Sequence, residues 1–143
     1  MCLSLKLHVP ASERARLEEV VARAPSDGLR VELLHAPIWP WARRHDAVAR
    51  VSEQGGCACS LLAEDADWGA EAWSMRPEIL EPLARTLSAL AEAGPEGMIV
   101  EALWQGETPE REQSITAAEL AGLARRSQLG TRTRYLLSRQ PRE

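Results

Sequence analysis

The residues best equipped for chemistry lie between Gly55 and Trp73, where two cysteines precede a cluster of carboxylates and two tryptophans. Cys57 and Cys59 are two residues apart, so on an extended strand both thiols point to the same face. Cys57 follows a Gly-Gly pair whose backbone amides would stabilise a thiolate, which makes it a candidate nucleophile. A general base would have to come from elsewhere in the chain, and the candidates are His8, His35 and His45.

A buried strand is the simpler interpretation of the two cysteines. Free cysteine is among the most frequently buried residue types and packs as a small apolar side chain. A zinc site is a further alternative, but structural zinc usually takes its ligands from C-x(2–4)-C pairs, and a C-x-C strand needs two more ligands from distant residues. We therefore favour a protein without catalytic activity and keep a small cysteine-dependent enzyme as the alternative.

The acidic segment after the cysteines is a candidate cation site. Carboxylates at alternate positions around Gly69 can converge on a hard cation such as calcium, and the ligands would be Asp65, Asp67 and Glu71. The calcium loop of EF-hand proteins needs a third ligand before its glycine and a glutamate at its twelfth position, and the sequence has neither. A solvated acidic loop is the favoured interpretation, and no metal or other cofactor is predicted.

The segment PIWPWARRHD, residues 37–46, holds the residue types most typical of a recognition surface. Tryptophan and arginine are enriched among interface hot spots, and the segment contributes Trp39, Trp41, Arg43, Arg44 and His45. The opposing interpretation is that the rings close an open edge of the core in a chain without phenylalanine. If they meet the other tryptophans, they would line a pocket for an anionic or aromatic small ligand. The further members of that candidate site are Trp68, Trp73, Arg76 and Arg134.

Charge is distributed unevenly along the chain. The formal net charge is −4, yet residues 53–119 have fourteen acidic and three basic side chains, and residues 120–143 have six arginines and one glutamate. One interpretation is that the acidic middle faces the basic end, either within one molecule or between two copies. Solvated faces are the favoured interpretation for most of these charges, because exposed pairs contribute little. A sequence pI of about 5.5 and the lack of a glycine-rich phosphate loop in the sequence argue against nucleic-acid binding.

Chain length, apolar runs and the number of cysteines indicate the number of domains and the cellular compartment. No stretch of the sequence approaches the roughly 20 apolar residues of a membrane helix, and the first ten residues alternate in polarity where a signal peptide has an apolar block. Three cysteines, an odd number, fit a reducing compartment. We predict a cytoplasmic protein that does not bind membranes, built as a single domain over residues 1–143.

Hydrophobic periodicity places these candidates on alternating strands and helices. Period-two patterns predict strands over 2–9, 29–36, 47–53, 57–62, 97–104 and 131–137. Helical spacing predicts helices over 12–24, over 74–94 and after the capping pair Thr116 and Glu119, with Gly130 as the stop of the last helix. Pro82 lies inside the second helix, so we expect that helix to start later or to kink there. Residues 105–114 are expected to form a polar connection.

The resulting order, β-α-β-β-β-α-β-α-β, predicts an α+β fold. We expect a two-layer sandwich in which a mixed, mainly antiparallel sheet of about five to six strands carries three helices packed on one face. The other face would be polar, with the members Lys6, His8, Arg30, Glu32, Glu101, Arg132 and Arg134. We therefore predict a non-catalytic interaction module that binds a protein partner or a second copy of itself, with small-ligand or metal binding as a further alternative.

Overall fold

The computed structural model describes residues 3–24, 28–34, 46–53, 77–104, 108–126, 128–130 and 132–139. Within these ranges the strands are β1 (Leu3–Pro10), β2 (Leu29–Leu34), β3 (Asp46–Glu53), β4 (Ile99–Trp104), β5 (Arg111–Ile115) and β6 (Thr133–Leu137). The helices are α1 (Arg14–Ala22), α2 (Pro77–Ala93) and α3 (Ala117–Arg125), and a 3-10 turn, Ala11–Glu13, leads into α1. The strands form one mixed sheet in the order β2-β3-β1-β4-β6-β5, and the predicted α+β sandwich is confirmed.

Strict alternation in β1 suits this strand to the centre of the sheet. Leu5, Leu7 and Val9 are at most 1% exposed and belong to the core shared with the helices. Leu7 lies opposite Ala49 of β3 on one side and Val100 of β4 on the other, both in antiparallel pairs. A shift of one residue would turn the whole apolar set toward water, so the alternation fixes the register.

Helix α2 supplies the main apolar stripe of the helix layer. Leu83, Leu87 and Leu90 are fully buried, and their spacing places them on one side of the helix. Burying a leucine side chain contributes roughly 2 kcal/mol. This stripe is therefore a major source of the stability that holds the helices on the sheet.

A proline lies inside α2 without ending it. The helix begins at Pro77 and continues through Pro82 to Ala93, so the expectation of a later start is wrong. Pro82 lacks the N–H that would bond to the carbonyl of Glu78. Because Glu78 is exposed in the first turn of the helix, water can reach that carbonyl, and the lost bond is tolerated there.

The first two strands are separated in space by the third. β3 pairs antiparallel with β1 on one side and with β2 on the other, so β1 and β2 run parallel without being neighbours. The predicted opening β-α-β unit is present, but a strand that follows it in the chain is inserted between its two strands. This insertion leaves β2 at one edge of the sheet.

The other edge strand was not predicted. Residues 105–114 were expected to form a polar connection, yet β5 pairs in parallel with β6, and α3 connects the two. Arg111, Glu112 and Gln113 are all exposed, and Ile115 is the one buried residue of the strand. A strand that is polar on both faces shows no hydrophobic alternation, which is why its sequence resembles a loop.

Helix α3 begins at the predicted capping pair. The backbone N–H of Glu119 donates to Oγ1 of Thr116 at 3.2 Å, and the Thr116 hydroxyl donates to the Glu119 carboxylate at 3.1 Å. The helix ends at Arg125, well before Gly130, so the predicted stop is wrong. Gly130 instead donates its N–H to the hydroxyl of the buried Tyr135 at 2.9 Å. That bond gives the only tyrosine of the chain a partner for its polar end.

Candidate functional site

On the face of the sheet that points away from the helices, each strand contributes one charged residue to a single row. The register puts these residues opposite one another from one edge of the sheet to the other. Three acidic and three basic side chains make the row formally neutral. Opposite charges on facing strands contribute roughly 0.2–1 kcal/mol per pair, so the row also favours this register. We call this set the central charge row, and its members in sheet order are Glu32, Arg50, Lys6, Glu101, Arg134 and Glu112.

Glu101 lies in the middle of the row between two basic side chains. Arg134 donates from Nε to Oε1 of Glu101 at 2.9 Å, and its Nη2 lies 2.8 Å from the same oxygen. Nε2 of His8 lies 3.1 Å from Oε2 of Glu101, but the ring N–H is not aimed at that oxygen, so this contact is electrostatic rather than a well-aligned hydrogen bond. The side chains of His8 and Glu101 are each 14% exposed. A carboxylate this enclosed depends on such partners.

The surroundings of Glu101 change its acidity. Burial alone would raise the pKa of Glu101, because a low-dielectric environment disfavours the charged form. His8 and Arg134 together outweigh burial and lower the pKa of Glu101 to about 2. The carboxylate therefore stays ionised and paired with Arg134 down to strongly acidic pH.

The β2 side of the row consists of the ion pair between Glu32 and Arg50, followed by Lys6. Glu32 accepts a hydrogen bond from Nε of Arg50 at 3.2 Å, and this bond is the main reason that the pKa of Glu32 is lowered. Lys6 lies opposite Arg50 on one side and Glu101 on the other. Burial lowers the pKa of Lys6, Glu101 opposes that effect, and Arg50 adds to it. Each charge of the row thus has an opposite charge on a neighbouring strand.

A second row runs beside the first, two residues away along each strand, and most of its members are apolar. Val48 lies opposite Leu34 and His8, and Ile99 lies opposite His8 and Leu136. All of these side chains are half-buried. No described helix lies on this side of the sheet, so the row forms a mainly apolar surface, with Leu34 and Val48 on one side of His8 and Ile99 and Leu136 on the other. We call the four apolar residues the aliphatic strip: Leu34, Val48, Ile99 and Leu136.

The two ends of this face differ. Ser52 lies on the far side of the central charge row and is fully buried, whereas Arg30, opposite it on β2, is exposed. The aliphatic strip lies at the opposite end, where β2 ends at Leu34 and β3 begins at Asp46. The chain between these two residues includes the tryptophan- and arginine-rich segment. The segment predicted to be a recognition surface therefore joins, in the sequence, the two strand ends next to the strip.

Ion pairs connect the acidic middle of the chain with its basic end within one molecule. Arg125 of α3 donates from Nε to Glu81 of α2 at 2.9 Å, and Arg132 lies 3.4 Å from Glu110. Both side chains of the first pair are about half exposed, so solvent screens their attraction and the pair contributes little to stability. These contacts show that some acidic side chains of the middle segment face the basic end within one molecule.

A groove of about 690 Å³ lies beside the first turn of α3. Arg16, which lines it, donates to the backbone carbonyl of Ala93 at 3.1 Å. Thr116, also in the lining, is used by the helix cap. Because these polar groups are already bound within the chain, the groove supports no ligand assignment.

Most of the predicted site residues lie outside the described ranges. His8 and Arg134 are the exceptions, and the structure brings them together on opposite sides of Glu101. His8 was predicted as a base for a thiol, and Arg134 as the rim of a tryptophan pocket. The residues outside the described ranges are Cys57, Cys59, His35, His45, Trp39, Trp41, Arg43, Arg44, Trp68, Trp73, Arg76, Asp65, Asp67 and Glu71.

Within the part of the chain that the structure describes, no three histidine, cysteine or acidic side chains are arranged to hold a metal ion. The helices described there are too short or too polar to cross a bilayer. Comparison with protein-family models, curated proteins and solved structures found no match to this chain. The aliphatic strip and the central charge row are therefore the features on which a function can be argued.

Proposed function

We propose that the protein is a non-catalytic interaction module that binds a protein partner. The binding surface we propose is the aliphatic strip, together with the tryptophan- and arginine-rich segment that joins β2 and β3 in the sequence. The observation that supports this proposal most strongly is the strip itself, which aligns apolar residues of four strands, with His8 of β1 between them, on the face away from the helices. An apolar centre with a polar border is the usual composition of a protein interface, and the central charge row supplies the border.

The charges of the border define the chemistry of the partner. A neutral row whose members are already paired has little attraction for a polyanion, because phosphate binding draws on unpaired lysine and arginine. An apolar protein surface fits better, since it gains from covering the strip and leaves the ion pairs intact. Trp39 and Trp41 would add aromatic anchors, which are the residues that dominate binding energy at many interfaces.

The replacement Ile99→Lys tests the proposal. The lysine ammonium would reach water from this half-buried position, so we expect the free energy of unfolding in urea to fall by no more than about 1 kcal/mol. Binding to the partner should weaken at least about tenfold, because a charge then lies in the apolar centre of the interface. Partner proteins are isolated with the immobilised wild-type chain, purified, and titrated against each variant by calorimetry.

The matched control is Ala15→Lys, the same kind of change at an exposed position of α1. It should leave the affinity within about twofold of the wild-type value. Two results would contradict the proposal: a purified partner that binds Ile99→Lys as tightly as the wild type, or an Ile99→Lys chain destabilised as strongly as a core variant.

A further inference from the structure

Among the strands that the structure describes, β2 forms one edge of the sheet, and its residues are unusually apolar for an edge. Four of its six residues, LRVELL, are leucine or valine, and Arg30 is the one residue of the strand that is more exposed than buried. Proteins commonly guard an edge strand with several charges, a proline or a bulge, because its free N–H and C=O groups can pair with another chain. Edge strand β5 has such a guard, with three consecutive exposed polar residues, whereas β2 does not.

The sequence of β2 is complementary to itself in one antiparallel register. A two-fold axis perpendicular to the sheet at Val31 joins two copies edge to edge with their helices on the same side. In that register Arg30 of each copy lies opposite Glu32 of the other, and Val31 lies opposite itself. Arg30 and Glu32 already share one face of the strand, since Nε of Arg30 lies 3.6 Å from Oε2 of Glu32. Opposed residues in such a pair come within about 5 Å between Cβ atoms.

The neighbouring registers are less favourable. An axis at Glu32 sets that carboxylate against its own copy, and like charges directly opposite each other destabilise strand pairing. The other edge gains no such charge pair, because an axis at Gln113, the central residue of β5, opposes Glu112 with Ser114 and Arg111 with Ile115. Charge therefore favours β2 over β5 and the axis at Val31 over an axis at Glu32.

We propose that two copies of this chain associate through β2, with the two-fold axis at Val31, to form one continuous twelve-stranded sheet. The occupant of this edge is a second copy of the chain, and the backbone groups of β2 supply the pairing. The dimer does not depend on the partner proposed for the aliphatic strip. The dimer would also extend the aliphatic strip, because the faces that carry the strip and the central charge row lie on the same side of the joined sheet in both copies.

Mixing two charge-reversed variants tests this dimer. In Arg30→Glu, each new glutamate lies opposite Glu32 of the other copy, and in Glu32→Arg each new arginine lies opposite Arg30. Both variants are expected to sediment as monomers at concentrations up to about 100 µM, where the wild type dimerises. An equimolar mixture of the two should form a heterodimer, because every opposed pair then has opposite signs. Arg111→Glu on β5 makes the same change at the other edge and should leave the wild-type dimer intact.

A second readout does not depend on the folding of Glu32→Arg, which loses the pair with Arg50. Hydrogen exchange of the wild-type β2 amides should slow as concentration rises, and in Arg30→Glu it should not. A wild type that is monomeric throughout this range would overturn the proposal. So would equal weakening by Arg30→Glu and Arg111→Glu, or a mixture of the two folded variants that stays monomeric. None of these outcomes bears on binding at the aliphatic strip, which Ile99→Lys tests separately.

Discussion

Replacing Glu101 with glutamine is expected to lower the free energy of unfolding by about 3 kcal/mol at about pH 5.5, and the loss should nearly disappear near pH 2. The pKa of Glu101 falls from 4.5 to about 2 on folding. A carboxyl group whose pKa is depressed stabilises the fold above its unfolded pKa, and the contribution is lost as pH falls through the folded value. The wild-type curve should therefore fall between about pH 4.5 and pH 2, and the variant curve should be flatter.

Glu112→Gln is the matched control for this measurement. Glu112 belongs to the same row and approaches the same arginine, but at 3.8 Å and with a side chain 58% exposed. Its removal should cost less than about 0.5 kcal/mol at any pH, because exposed pairs contribute little. Urea unfolding at several pH values gives the free energy of unfolding of the wild type, Glu101→Gln and Glu112→Gln as a function of pH. Equal losses for Glu101→Gln and Glu112→Gln would show that the enclosure of Glu101 is not the source of the stability.

Replacing Gly94 with alanine is expected to destabilise the fold by about 3 kcal/mol. Gly94 is buried just after α2, and its N–H donates to the carbonyl of Leu90 at 2.9 Å. A Cβ atom at this position would lie 2.8 Å from that carbonyl oxygen and would overlap the methyl group of Met98. Met98 is itself fully buried, so it cannot move aside without disturbing the core. Chemical denaturation of the variant measures the loss.

Gly97→Ala separates this crowding from backbone strain. Gly97 has φ +81°, a conformation that favours glycine, but an added Cβ would meet nothing within 4 Å. We expect a loss of about 1 kcal/mol from strain alone. If Gly94→Ala lowers the free energy of unfolding by no more than Gly97→Ala does, then Met98 does not pack closely against the end of α2.

The sequence allows part of this fold to be predicted, because a strand with one polar face alternates. β1 and β6 were predicted for this reason, and the capping pair identified the start of α3. β5 was missed because it is polar on both faces. The insertion of β3 between β1 and β2 was also missed, since strand order depends on contacts between distant residues.

The candidate surface could also be predicted from the sequence only in part. Lys6, Glu101 and Arg134 were assigned to the polar face from alternation, but their alignment into one row depends on the register between strands. The aliphatic strip had no signal of its own. Ile99 lies within the apolar run 98–100, and a strand that is apolar on both faces loses the period of two from which orientation is inferred.

Oxidative footprinting with hydroxyl radicals measures whether the aliphatic strip is exposed, because it reports which aliphatic side chains water reaches in the folded protein. Ile99 and Leu136 are expected to be oxidised in the free protein and protected when the partner binds. Leu87, which is fully buried, should stay unmodified in both states. If Ile99 and Leu136 are as protected as Leu87 in the free protein, the strip is part of the core, and the proposed binding surface does not exist.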